Sequence, residues 1–326
     1  MSTARPSVRH MLEYAAGRVA LFVVNLLPER PAYAIAAGLG QLFFRCSRRR
    51  QRYALHFLRN AYGAAPSDVE LLAVARQATG NIFKVVLDTV RVIPVIRRGQ
   101  LRDYVDLSAY PNVAPPYIAV TPHLGSWEIA GIACATLHGE AHAIAKVFKN
   151  PLLQRFILSN RQRAGLYIHP KRGGIRALSR ALDRGCIGLQ VVDQHQRLRG
   201  VQVPFFGEMA STERSAAVLS LRRGYPIVVG AAVRVGPGFR FKMLALPPLH
   251  TESSDDPEAD VARIATEVNR RLETLILAHA NQYLWIHNRY RTQSTTPGGD
   301  SSGGGDARAT RPGTEKAIDA HEHSPS

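Results

Sequence analysis

Hydrophobic and polar positions follow two different periods between residues 66 and 291. Short apolar runs rich in β-branched residues lie at 117–121, 143–147, 166–169, 187–192, 226–233 and 239–246. Between and after them, apolar positions recur at helical spacing at 127–137, 151–163, 174–183, 212–223 and 257–279. Such alternation predicts an α/β fold with a mixed, largely parallel sheet covered by helices.

The N-terminal pattern is different, with two apolar stretches at 19–27 and 32–44 separated by a segment that starts and ends with proline. Each stretch is shorter than the roughly 18–20 residues of a spanning helix, so we predict helices that lie in a membrane interface. The pattern of Arg5 and Arg9 followed by an apolar stretch is similar to that of a signal peptide. A charged pair, Glu29 and Arg30, interrupts that pattern, which favours a retained segment.

Charge strengthens the membrane interpretation. The chain has 326 residues, 45% of them hydrophobic, and a formal net charge of +17. Residues 1–63 contain ten arginines and two acids, and five of the arginines lie within 45–52, where they would contact anionic lipid headgroups. A helical hairpin packed on the core with a solvated basic end is the alternative. Nucleic acid is not a predicted partner, because no helix-turn-helix, RNP or zinc pattern accompanies the charge.

Changes in composition along the chain also indicate where its domains begin and end. From Thr292 onward glycine, serine, threonine and scattered charges replace apolar residues, which predicts a disordered tail over 292–326. We therefore divide the chain into an N-terminal membrane-associating segment, 1–63, a catalytic domain, 64–291, and the tail. Three cysteines far apart and outside any CxxC pattern argue against a disulfide framework, and no His/Cys cluster predicts a metal site.

The most informative segment is Thr-Pro-His-Leu-Gly-Ser-Trp-Glu at residues 121–128. A buried strand ends here, Gly125 permits a tight turn, and Ser126 is a candidate N-cap that puts Glu128 in the first turn of a helix. Across such a turn Glu128 could orient His123, and the free imidazole nitrogen could deprotonate a substrate hydroxyl. The structural alternative is a histidine that only caps a strand end.

The spacing alone has low specificity. Chance would produce a histidine followed five residues later by an acid in a chain of this composition, and His250 with Asp255 is a second example. That second pair has neither a glycine turn nor a helix that begins at its acid. The strand, turn and helix around His123 distinguish it.

Five blocks in order resemble the lipid A biosynthesis acyltransferases of lauroyl and myristoyl type, a family that includes the phosphatidylinositol-mannoside acyltransferases. The first is the His-x4-Glu block of His123 and Glu128. The others are Lys-Val-Phe-Lys-Asn-Pro-Leu-Leu at 146–153, Asn-Arg-Gln-Arg-Ala-Gly at 160–165, Asp-Gln-His at 193–195 with Val-Gln-Val-Pro-Phe-Phe-Gly at 201–207, and Trp-Ile-His-Asn-Arg-Tyr-Arg at 285–291. The resemblance spans about residues 60–291.

The resemblance implies roles for these residues. It implies that His123 is the general base and that Glu128 orients it. Lys146, Arg161, Arg163, Asp193 and Arg289 are implied as substrate-binding residues. Lys146 stands where relatives usually have arginine, and His195 stands where they often have an acid. Of the cations, Arg163, together with Arg161, would contact lipid phosphates or the tetrahedral oxyanion, and Arg289 would face phosphate or the surface.

The family resemblance also implies the reaction. It implies transfer of a fatty acyl chain from acyl carrier protein, or acyl-CoA, to a hydroxyl of a membrane glycolipid, at the cytoplasmic face of the inner membrane and without cofactor or metal. Acylation of a lysophospholipid or of a phosphatidylinositol mannoside is the alternative activity. The Glu-Gly-x-Arg block of glycerophosphate acyltransferases is absent from the sequence, which favours the glycolipid. A catalytically silent membrane-binding homologue is the non-enzyme alternative.

Overall fold

The computed structural model describes residues 6–111, 113–146 and 149–291. Nine α-helices and nine β-strands lie in this part of the chain. The helices are α1 (Val8–Leu26), α2 (Glu29–Cys46), α3 (Arg48–Tyr62), α4 (Asp68–Arg98), α5 (Trp127–His138), α6 (Pro151–Arg163), α7 (Gly174–Asp183), α8 (Ser215–Arg223) and α9 (Pro257–Ala278). The strands are β1 (Val105–Asp106), β2 (Ile118–Thr121), β3 (Ala141–Ala145), β4 (Leu166–Pro170), β5 (Ile187–Val191), β6 (Val201–Phe205), β7 (Glu208–Thr212), β8 (Ile227–Arg234) and β9 (Phe241–Ala245).

The predicted α/β architecture is confirmed. Seven strands form one sheet in the order β1-β9-β8-β2-β5-β3-β4. Strands β8, β2, β5, β3 and β4 run parallel to one another, and β9 runs antiparallel to β8. Strands β6 and β7 form a separate antiparallel hairpin, which the sequence pattern did not predict.

Two apolar layers cover the two faces of the sheet, as the alternation along β2 shows. Ile118 and Val120 pack into the layer that holds α8, α9 and part of α3. Tyr117 and Ala119 pack into the opposite layer with α5. The central strands β2, β5 and β8 are buried on both faces, which is typical of parallel sheets and explains their continuous apolar runs.

Helices α2 and α3 both pack against the long helix α4. Tyr33 of α2 and Phe57 and Leu58 of α3 are buried core residues, so part of the predicted membrane-associating segment belongs to the core. Helix α1 differs, because none of its residues is buried. The predicted tail, 292–326, lies outside the described residues, and the division at residue 63 stays a prediction.

Candidate active site

His123 lies at the carboxyl edge of the sheet, two residues beyond the end of β2. Gly125 follows with φ +60°, a conformation that glycine adopts without strain. A Cβ at Gly125 would lie 2.0 Å from the carbonyl oxygen of Ala232, so the turn needs glycine for space as well. Helix α5 begins at Trp127 with Ser126 as its N-cap residue, as predicted, although the Ser126 side chain makes no capping bond.

Backbone and amide hydrogen bonds fix this turn against the rest of the fold. The Ser126 amide donates to Ala232 in β8 (2.8 Å), and the Leu284 amide donates to the carbonyl of His123 (3.2 Å). The buried side chain of Asn81 in α4 donates to the carbonyl of Gly125 (2.9 Å). The loop that carries His123 is therefore attached to α4, to β8 and to the C-terminal segment.

Asp193 is the carboxylate that contacts His123. One of its oxygens lies 2.7 Å from His123 Nδ1, and the other accepts the His123 backbone amide at 2.9 Å. The sheet explains this contact, because Thr121 pairs with Val191 in register, and His123 and Asp193 each lie two positions further along these neighbouring parallel strands. Asp193, implied by the resemblance as a substrate-binding residue, is thus a hydrogen-bond partner of the histidine, and its contact with substrate stays a prediction.

The predicted contact between Glu128 and His123 is wrong in this structure. Both carboxylate oxygens of Glu128 accept hydrogen bonds from Arg161 in the last turn of α6, at 2.8 and 2.7 Å. This is a bidentate ion pair with little exposure on either side chain. The sequence could not reveal it, because Asp193 reaches the imidazole through strand pairing and Arg161 comes from a distant helix.

The electrostatics of the site favour an ionised Asp193. Burial alone would raise the pKa of Asp193, but its charge interaction and hydrogen bonds with His123 hold that pKa below the ordinary value. A carboxylate at Nδ1 places the ring proton on Nδ1 and leaves the Nε2 lone pair available. In the structure the Gln194 side-chain amide lies 3.3 Å from Nε2.

Two further residues, Tyr283 and His287, interact with this pair, the first by a hydrogen bond and the second through charge. The Tyr283 hydroxyl donates a hydrogen bond to Asp193. It stays protonated because complete burial raises the pKa of Tyr283 well above its ordinary value. Burial lowers the pKa of His287 to about 4, so this ring is neutral, and its Nε2 accepts the backbone amide of His195 at 3.1 Å. Asn81 and Tyr283 lie outside the motif blocks, and the sequence analysis missed both.

The predicted surface-facing role of Arg289 is wrong. Its side chain is only 1% exposed and donates to the carbonyl of Ser211 and to the Thr212 hydroxyl, both at 2.6 Å. The guanidinium also lies over the ring of Phe205, 5.1 Å from its centroid. Arg289 therefore holds the β6–β7 hairpin against the C-terminal segment, a contact between distant residues that a local motif does not reveal.

Of the three remaining predicted substrate-binding residues, two lie at the surface. Lys146 directly follows β3 and is exposed, and Arg163 is the exposed last residue of α6. Arg161 is half-buried, and two of its nitrogens already bind Glu128. The substrate contacts of these three residues stay predictions.

A cleft of about 740 Å³ opens beside the histidine. Gln194, whose amide contacts His123, is one of its lining residues. Its walls combine apolar and basic side chains, among them Ile144, Ile175, Lys171, Arg199 and Arg222. Such a mixture suits a substrate with both an apolar and an anionic part.

Comparison with known sequences identifies the family. The sequence model described as "Bacterial lipid A biosynthesis acyltransferase" matches residues 1–292. The chain belongs to this family. The resemblance noted from the five motif blocks is thereby confirmed.

Individual relatives in this family match more limited regions. A phosphatidylinositol mannoside acyltransferase of Mycobacterium tuberculosis (strain ATCC 25618 / H37Rv) is 29% identical over 167 residues, which cover 50% of each chain. A lipid A biosynthesis palmitoleoyltransferase of Escherichia coli (strain K12) is 29% identical over 133 residues, covering 40% of this chain and 41% of the relative. The chain spans about half the length of the curated relatives it matches.

One solved structure is also similar: the 1-acyl-sn-glycerophosphate acyltransferase PlsC from Thermotoga maritima. It is 12% identical with a TM-score of 0.35, over 75% of this chain and 98% of that one.

Hydropathy adds one finding about the family member described here. Within the described ranges, none of the helices combines the length and apolar character that crossing a bilayer requires.

Proposed function

We propose that this protein transfers a fatty acyl chain from acyl carrier protein or acyl-CoA to a hydroxyl of a membrane glycolipid of the lipid A type. The contact between Asp193 and Nδ1 of His123 carries the proposal, because it orients the imidazole and leaves Nε2 to the side-chain amide of Gln194, a partner that a substrate hydroxyl can replace. Family membership supports the reaction class. The intact, hydrogen-bonded dyad weighs against a catalytically silent homologue.

The mechanism starts with proton removal by His123. Its Nε2 accepts the proton of the acceptor hydroxyl as the oxygen attacks the thioester carbonyl, and Asp193 stabilises the imidazolium that forms. The tetrahedral intermediate then collapses, the carbon–sulfur bond breaks, and His123 returns the proton to the leaving thiolate. These steps use only the two side chains and the two substrates.

The ion pair of Glu128 and Arg161 has a positioning role in this proposal. Glu128 lies in the first turn of α5, directly after the loop that carries His123, and Arg161 ties that turn to α6. The pair replaces the direct orientation of His123 that the sequence suggested for Glu128. Arg161 remains a candidate for contact with the oxyanion, together with Arg163.

The acceptor is proposed to carry phosphate. Exposed Lys146 and Arg163, together with the basic side chains of the cleft, supply cations that would bind anionic lipid groups. A phosphatidylinositol mannoside is the second candidate acceptor, supported by the mycobacterial relatives that match half of this chain.

Helix α1 supports peripheral membrane association, which we propose to be at the cytoplasmic face of the inner membrane. Its exposed apolar side chains include Leu12, Val19, Phe22 and Leu26, each more than 60% exposed. This exposed apolar surface, in a segment whose residues 1–63 include ten arginines, suits an interface that combines acyl chains with anionic headgroups.

The catalytic assignment is tested with the purified full chain, separate acyl-carrier and acyl-CoA donors, and a panel of lipid A precursors, phosphatidylinositol mannosides and lysophospholipids. We expect the wild type to acylate one glycolipid class, and His123→Ala to lower turnover by at least about 10²-fold. His250→Ala, which changes the unrelated His-x4-acid pair, is the matched control and should retain turnover. Equal turnover by wild type and His123→Ala would refute the assignment.

A further inference from the structure

A second cluster of reactive side chains lies at the opposite edge of the sheet from His123. Glu140 directly precedes β3, His142 is the second residue of β3, and Cys186 directly precedes β5. Strands β3 and β5 are parallel neighbours with Ala141 opposite Ile187, so Glu140 and Cys186 start adjacent strands. The proposed acyl transfer uses none of these residues.

The cluster has the donor atoms of a metal site. One carboxylate oxygen of Glu140, one ring nitrogen of His142 and Sγ of Cys186 all lie within 4.8 Å of one another. Glu140 Oε1 is 2.6 Å from His142 Nε2. Protein ligands lie about 2.0–2.3 Å from a zinc ion, so small side-chain rotations would bring the three donors around one ion.

A neighbouring histidine completes the arrangement. His142 Nδ1 lies 2.8 Å from Nε2 of His169 in β4, and the two rings are nearly parallel, with an interplanar angle of 8°. Tyr167 stacks on His142 at 13°. Metal-binding histidines commonly donate their other ring N–H to a polar partner, and His169 is placed to accept it.

We infer that Glu140, His142 and Cys186 form a binding site for a divalent transition-metal ion of the zinc class. A carboxylate, an imidazole and a thiolate together suit such ions better than magnesium or calcium, which prefer oxygen ligands. On binding, the Cys186 thiol releases its proton to solvent, and the thiolate and carboxylate charges balance the two charges of the ion. The fourth coordination position is left for water.

Arg184 is the competing cation. Its guanidinium lies 3.7 Å from Glu140 Oε1, and its side chain is 57% exposed. This side chain can turn into solvent when an ion binds. Its removal therefore leaves the three ligands intact and takes away a positive charge that repels the ion.

Cobalt binding to the full-length protein tests the site. After chelator treatment, the protein is titrated with Co²⁺, and we expect one ion per chain with a thiolate-to-cobalt charge-transfer band. Cys186→Ser should abolish that band and weaken binding at least tenfold, and His142→Ala should weaken binding by a similar factor. Cys46→Ser, which changes an exposed cysteine elsewhere, should retain the band.

Two further variants distinguish this site from metal binding elsewhere on the protein. Arg184→Ala should bind Co²⁺ more tightly than the wild type, and His123→Ala should bind it equally well, so the result does not depend on the proposed acyl transfer. Zn²⁺ should displace Co²⁺ and raise the unfolding temperature of the wild type but not of Cys186→Ser. Failure of the wild type to bind one ion per chain, or an unchanged band in folded Cys186→Ser, would overturn the inference.

Discussion

Asp193 contacts His123 at both the backbone amide and the ring, so a single carboxylate fixes the position and the tautomer of the imidazole. We expect Asp193→Asn to lower kcat by about 10²–10⁴-fold with a smaller change in KM, because the amide cannot stabilise the imidazolium. Steady-state kinetics with the preferred donor test this, and Asp183→Asn at the surface is the control. A kcat within a factor of about two of wild type would exclude the proposed role.

The same carboxylate makes stability depend on acid pH. The pKa of Asp193 is lowered in the folded state relative to 3.8, so the ionised form stabilises the fold at neutral pH and this contribution is lost as the pH falls below about 4. The difference in free energy of unfolding between wild type and Asp193→Asn should therefore shrink in that range. Denaturant unfolding at pH 7, 5 and 3 measures it, and a difference that grows toward pH 3 would contradict the assignment.

The ion pair of Glu128 and Arg161 is expected to contribute to the stability of the fold. Removing one partner of a buried ion pair leaves an uncompensated charge, so Glu128→Leu should lower the free energy of unfolding by about 3–5 kcal/mol. The double variant Glu128→Leu/Arg161→Met should be less destabilised than the sum of the single variants. Chemical denaturation of all four proteins tests the coupling, and strict additivity would contradict it.

The residue scale also shows what the sequence could reveal. The His-x4-Glu motif led to the candidate site from sequence alone, because the strand, glycine turn and helix around it are local features. The partner of the imidazole depends on the pairing of Thr121 with Val191, which joins strands distant in sequence. Local spacing in the sequence favoured Glu128 as the carboxylate that contacts His123. In the structure, strand register brings Asp193 to the imidazole instead.

At the scale of elements, the glycine turn between β2 and α5 has the strictest steric requirement. Gly125→Ala should lower the free energy of unfolding by several kcal/mol, because the added Cβ would overlap the Ala232 carbonyl and the positive φ would be strained. Gly99→Ala is the matched control, since Gly99 is in the left-handed α conformation but has nothing within 4 Å of the added Cβ. It should cost only about 1–2 kcal/mol. Equal losses, measured by denaturant unfolding, would contradict the steric argument.

Helices and strands were predicted well where a single hydrophobic period, helical or strand-like, dominates a segment of the sequence. The predicted helices 151–163 and 174–183 coincide with α6 and α7, and the predicted strands of the main sheet agree with the observed ones to within one or two residues. The β6–β7 hairpin was missed because Pro204 and the Phe-Phe-Gly sequence after it indicated only a turn. Strand order could not be predicted, since it depends on packing between helices and both faces of the sheet.

At the scale of the whole molecule, α1 should control membrane binding. Val19→Asp/Phe22→Asp should reduce binding to vesicles with anionic lipid at least tenfold, because it places two charges on the exposed apolar face. Val69→Asp/Val86→Asp adds the same charge at two exposed apolar positions of α4 and is the control. Co-sedimentation measures both, and equal binding of wild type and the α1 variant would contradict the proposal.

The attachment of the His123 loop to α4, β8 and the C-terminal segment has a consequence for directed evolution of this protein. A loop held at several points cannot be lengthened or exchanged without disturbing the core, whereas Ile175, Arg199 and Arg222 line the adjoining cleft as exposed side chains. Libraries aimed at a new acceptor should therefore diversify these three positions and keep residues 121–128 unchanged. The contact between His123 and Asp193 is then expected to persist while selectivity changes.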